Sequence, residues 1–155
     1  MRIINLKATS RELLTDTRFA GYEGEHKGTQ LVIRLDEGLR GMDGYYLRFC
    51  TATQVNRGGM SITGKLNSDD NIVLFALPRT LTREGVLRVQ LVCERDGKAV
   101  FTPTLRGGLD ILPLPEGVTL PPYTPEPDGL TTFFDISDYM ARRSKYCAFL
   151  KRIFT

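Results

Sequence analysis

Val86-Leu87-Arg88-Val89-Gln90-Leu91-Val92-Cys93-Glu94 is the stretch that decides the fold. Leu87, Val89, Leu91 and Cys93 fall on one side of an extended chain, with Arg88 and Gln90 on the other. That two-residue period is the mark of a β-strand with one buried face. Arg95-Asp96-Gly97-Lys98 follows, and then Ala99-Val100-Phe101-Thr102. Asp-Gly between two apolar runs is a strong hairpin signal, because a type I′ turn needs positive φ at two successive residues.

Similar runs lie on either side. Gln30–Leu35 is rich in β-branched residues, and Tyr45–Thr51 sets Tyr45, Leu47 and Phe49 on one face. Asn71–Leu77 is apolar throughout, which predicts a strand covered on both faces. Arg2–Lys7, Ser61–Leu66 and Leu109–Leu112 are shorter candidates. Gly38, Gly41 and Gly44, then Asn56–Gly59, Asn67–Asp70 and Glu84-Gly85 separate them as turns. No internal repeat is present. Short strands with turns between, and no long amphipathic helix among them, predict an all-β domain: an antiparallel β-sandwich over residues 1–111.

The texture then changes. Six of the chain's eight prolines (Pro113, Pro115, Pro121, Pro122, Pro125 and Pro127) fall in residues 112–130. Proline lacks the N–H that a central strand needs and fixes φ, so this segment reads as an extended, semi-rigid linker holding two parts apart. Residues 131–155 read as a basic amphipathic helix, capped by Asp135 or Ser137. Ile136, Tyr139, Met140, Tyr146, Cys147, Leu150, Ile153 and Phe154 form its apolar stripe. Tyr139, Met140, Arg143, Tyr146, Leu150, Ile153 and Phe154 are the candidate partner-binding residues, whether the helix packs in cis or on another chain. Replacing Leu150 and Ile153 with Asp is expected to abolish that docking.

The composition suits one globular domain of 155 residues and 17.4 kDa, 41% hydrophobic and 25% charged. It excludes disordered, collagen-like and coiled-coil classes. No apolar run reaches the length of a membrane span. The first residues, Met1–Lys7, lack the apolar core of a signal peptide. The formal net charge is +3. Residues 1–135 carry 16 Lys and Arg against 17 Asp and Glu, whereas residues 136–155 carry five against one. The positive charge therefore belongs to the predicted helix.

Catalytic chemistry finds little to work with. His26 is the sole histidine. Cys50, Cys93 and Cys147 lack the close spacing of a zinc or redox motif and read as reduced, buried thiols, with Cys50 and Cys93 as potential neighbours. Gly59-Met60-Ser61-Ile62-Thr63-Gly64 has one residue too many for a nucleophile elbow, and no histidine follows it. Asp69-Asp70-Asn71 lacks the spaced ligands of a calcium loop and reads as a polar turn. Glu23-Gly24-Glu25-His26 reads as a solvated loop. Arg57-Gly58-Gly59 and Arg106-Gly107-Gly108 read as turns rather than RNA-binding elements. Neither a phosphate-binding glycine loop nor a nucleic-acid-reading motif is present. The expectation is a non-enzyme with no cofactor, no metal, no nucleic-acid partner and no membrane partner.

A resemblance covers roughly residues 28–112. The runs Gly28–Leu35, Gly44–Phe49, Asn71–Pro78, Leu81-Thr82 and Gly85–Val92 resemble the immunoglobulin-like domain of phage and prophage tail and baseplate proteins. They are similar in particular to the N-terminal domain of baseplate upper proteins. The resemblance implies a structural module made in the bacterial host cytoplasm, built into a virion in many copies as a homo-oligomer, and contacting other virion structural proteins. Longer members continue into receptor-binding regions, and the early end of this chain favours an adaptor or docking subunit of the tail or baseplate. A capsid decoration or head-fibre protein is the alternative within the same class. A carbohydrate- or host-surface-binding module is the alternative outside it, for which Tyr22, Tyr45 and Tyr46 are the candidate aromatics.

Overall fold

The structure is a computed structural model and describes residues 1–133. In chain order its elements are β1 (Arg2–Ala8), β2 (Glu12–Thr15), β3 (Phe19–Tyr22), β4 (Thr29–Leu35), β5 (Gly44–Cys50), α1 (Ala52–Val55), β6 (Met60–Thr63), β7 (Ile72–Ala76), β8 (Gly85–Arg95), β9 (Lys98–Phe101), β10 (Thr104–Leu105), β11 (Leu109–Leu112) and β12 (Leu130–Phe133). Single 3₁₀ turns at Glu37–Leu39 and Arg79–Leu81 complete the set.

β8 is the hub. Its alternation buries Leu87, Val89, Leu91 and Cys93 in the core. It pairs with β5 along seven registered positions from Gly44↔Glu94 to Cys50↔Arg88. Its first residues also pair with β11, and its last with β9. The hairpin at Asp96-Gly97 has φ of 53° and 76°, as a type I′ turn requires. From β8 the sheet runs through β10, β2, β1 and β4 to β7 on one side, and through β5 and β6 to β12 on the other. The sheet curls around one large apolar cluster that includes Ile4, Leu31, Ile33, Leu47 and Phe49. A second cluster of Tyr46, Ile62 and Val92 lies on the opposite face of β5 and β8.

The all-β expectation holds, but its antiparallel form needs correction. β1 pairs with β4, β10 with β2, and β11 with β3, all in parallel. A parallel pair needs a long crossover, and residues 9–28 supply one between β1 and β4 by carrying β2 and β3. Alternation identifies a strand but carries no record of its neighbour's direction. Asn71–Leu77 is a second correction. Among the described strands β7 pairs with β4 alone and forms a sheet edge, with Leu74 50% exposed.

The prolines again exclude ladder pairing, but the segment does not hold parts away from the body. Residues 113–129 run along the molecule and deliver β12 to β6, from Leu130↔Thr63 to Phe133↔Met60. Residues 131–133, expected at the start of the helix, are therefore strand. The remainder of that segment lies outside the described residues.

Candidate functional site

A cluster of hydrogen-bonded polar side chains lies where the proline-rich strap crosses the loop between β3 and β4. Gly24 and Lys27 both have positive φ, 86° and 55°, which turns that loop tightly and presents Glu25 and His26. The Glu25 carboxylate accepts from the Tyr22 N–H and lies 3.3 Å from the Arg2 guanidinium. Arg2 also donates to Thr29 Oγ1 at 2.8 Å, and that hydroxyl donates to the Ala20 carbonyl. The loop read as solvated in the sequence is thus tied into the sheet.

His26 reaches the strap. The Arg79 N–H donates to His26 Nδ1 at 3.0 Å, so the ring proton of the neutral tautomer sits on Nε2. Nε2 then donates to Glu126 Oε1 at 2.7 Å. Lys27 Nζ lies 2.9 Å from the same oxygen. The His26 hydrogen bond first, and Lys27 second, hold the Glu126 carboxyl below its ordinary value of 4.5. Tyr123 meets the His26 ring edge-on at 4.7 Å and carries the Arg79 guanidinium over its face at 4.8 Å. Asp128 accepts from the Thr80 hydroxyl and from the Leu130 N–H. A cleft of about 350 Å³ between loop and strap is lined by Glu25, His26, Leu120, Tyr123 and Glu126.

This geometry is that of a clasp. Both His26 nitrogens are engaged in hydrogen bonds, one of them by a backbone N–H that cannot leave. Ser61, from the elbow-like motif, lies in β6, where its hydroxyl meets Gln54 and Thr132. Asp70 and Asn71 adopt positive φ in a tight turn, as the polar-turn reading expects. Among the described residues no cluster of three His, Cys, Asp or Glu side chains is placed to hold a metal ion, and no helix is long and apolar enough to cross a membrane.

The two described cysteines are not neighbours. Cys93 lies opposite Tyr45 and Cys50 opposite Arg88, five residues apart on β8, roughly 17 Å along a strand. Burial pushes the Cys93 thiol up to about 12. Burial also raises Cys50, against the opposing pull of Arg88 and Arg48. Cys50 borders a cleft of about 310 Å³ with Arg48, Met60, Arg88 and Gln90.

The candidate partner residues Tyr139, Met140, Arg143, Tyr146, Leu150, Ile153 and Phe154 lie outside the described residues. The candidate sugar-binding aromatics are not displayed on one face. Tyr45 and Tyr46 are each 1% exposed and belong to different clusters, and Tyr22 packs at the edge of Phe19. The clasp residues Arg79, Tyr123, Glu126 and Asp128 carry no local signal in the sequence. They lie 53 to 102 positions from His26, and only folding brings them together.

No protein-family model matches the chain, and neither does any curated protein. Among solved structures, the N-terminal domain of phage TP901-1 ORF48 is similar, with a TM-score of 0.42 and 14% identity over 72% of this chain and 96% of that one.

Proposed function

We propose that this chain is a non-enzymatic virion structural protein of a phage, an adaptor or docking subunit of the tail or baseplate assembled in several copies. The observation that carries the reading is where the resembling segments fall. Gly28–Leu35, Gly44–Phe49, Asn71–Pro78 and Gly85–Val92 overlap β4, β5, β7 and β8, which supply much of the main core, and the short fifth run, Leu81-Thr82, closes the 3₁₀ turn with Leu81 buried in that core. The resemblance thus follows the scaffold rather than scattered surface loops.

The clasp is consistent with this role. Its groups hydrogen-bond to one another and fix a chain segment. A carbohydrate-binding module has less support, since Tyr45 and Tyr46 are buried.

Immunogold labelling tests the reading. Antibodies to the chain, applied to particles from a lysate of the bacterium that encodes it, should label the tail or its tip. Label on the head would transfer the chain to the capsid decoration or head-fibre class. Particles that carry no label would overturn the virion reading.

A further inference from the structure

The strap and the strand it delivers are held very differently. At its far end β12 completes β6. Phe133 is fully buried, and the Gln54 amide donates both to the Phe133 carbonyl at 3.3 Å and to Ser61 Oγ. The Gly64 N–H donates to the Gly129 carbonyl at 3.1 Å. Without a strand in that position, β6 would be left with unsatisfied polar groups and an unfilled hole where the Phe133 ring packs. The strap forms no strand ladder of its own. Before Gly129 its attachments are side-chain contacts: Glu126, itself 46% exposed, to His26 and Lys27; Asp128 to Thr80; Tyr123 to Arg79 and His26; and Leu120 beside Gly24. Exposed ion pairs of this kind are screened and weak.

We propose that β12 is an exchangeable strand, and that the β6 edge is an interaction surface for β12 of a second copy of this chain. The β6 edge needs a β12, but nothing in the contact specifies which copy provides it. Every bond across Leu130–Phe133 is reproduced when the strand comes from a neighbour, the condition under which segment exchange is a low-cost route to oligomers. Seventeen strap residues, 113–129, at about 3.1 Å each for a proline-rich extended chain, reach about 50 Å. That is ample to span two adjacent copies. The proline content also keeps the released strap extended. The occupant is a second copy rather than a foreign strand because the groove is already matched, residue for residue, to this chain's own β12. The proposal concerns the isolated chain, so its failure would leave the virion reading standing, and the reverse holds equally.

Mixed disulfide trapping tests it. Ser61 and Thr132 are register partners, with hydroxyl oxygens 3.2 Å apart. In full-length chains carrying Cys50→Ser and Cys147→Ser, Ser61→Cys is placed on one chain and Thr132→Cys on another. The two are mixed at about 1 mM, comparable with the effective concentration of a flexible intramolecular link, and oxidised. A covalent heterodimer is the expected product. The double variant, Ser61→Cys with Thr132→Cys in one chain, is oxidised in parallel in dilute solution. An intrachain bond there, with no heterodimer in the mixture, overturns the proposal. Should the double variant fail to close, the same two reactions are run with Thr63→Cys and Leu130→Cys, the next register partners on that face of the ladder, and read in the same way.

Discussion

Cys93 sits opposite Tyr45 on the inner face of β8, fully buried, with its thiol pushed up to about 12. A group whose folded pKa exceeds its unfolded value of about 9 favours the native state in its protonated form. That stability is complete below pH 9 and is lost as pH rises toward 12, at about 1.4 kcal/mol per pH unit for one group. Urea unfolding at pH 8 and pH 10.5 should therefore show a fall in stability that Cys93→Ala makes smaller. The same burial predicts that thiol reagents reach Cys93 only after unfolding, whereas Cys50 is partly exposed and reacts first. Gly108 makes a sharper case. It has φ of 64°, and a Cβ there would lie 2.6 Å from the Leu87 carbonyl oxygen, a backbone atom that cannot move aside. Gly108→Ala should cost about 1–3 kcal/mol by chemical denaturation. The burial of Cys93 was legible in the alternation of its strand. Its separation from Cys50 was not, because it depends on the register between β5 and β8.

Elements with a local rule were read well. β8 and β9 follow from alternation and from Asp96-Gly97, whose conformation is intrinsic to the two residues. Gly97→Ala should cost about 1 kcal/mol, read from the unfolding midpoint, because only glycine takes φ of 76° there without strain. Elements with a partner rule were not read. β2, β3, β10 and β12 are two to four residues long and exist because a neighbouring edge accepts them. Asn71–Leu77 was misplaced for the related reason that apolar content does not distinguish a central strand from an edge. The strap belongs to this class, since its prolines announce the absence of pairing and say nothing of the clasp. Glu126 supplies a test of that clasp. Its folded pKa lies below its unfolded value, so its contribution is present above about pH 4.5 and is lost as pH falls through the depressed folded value. Exchange of the Gly64 amide, which donates to the Gly129 carbonyl, should accelerate at pH 3.5 relative to pH 6 after correction for intrinsic rates. Glu126→Gln should raise the pH 6 rate and flatten the difference.

At the scale of the whole molecule, charge and sheet pairing group the same residues together. Residues 1–133 carry 16 cationic and 16 acidic side chains, so the described body is neutral and the net charge of +3 comes from residues 134–155. Among the described residues the sheet includes Leu130–Phe133, well past residue 111 where the sequence pattern alone would end it. Two truncations separate a body from its docking segment only if the cut spares that strand. A chain ended after Gly129 loses β12, and with it the fully buried Phe133 and the partner of the Gln54 amide. Removing such a ring alone costs about 3–5 kcal/mol, so this truncation should melt far below the full chain and expose the β6 edge to aggregation. A chain ended after Phe133 keeps every described strand. If residues 134–155 dock on a partner, it should melt within a few degrees of the full chain while losing assembly, as followed by light scattering. An assembly unchanged by the cut after Phe133 would place the contact on the body instead, with the β6 edge as its first candidate.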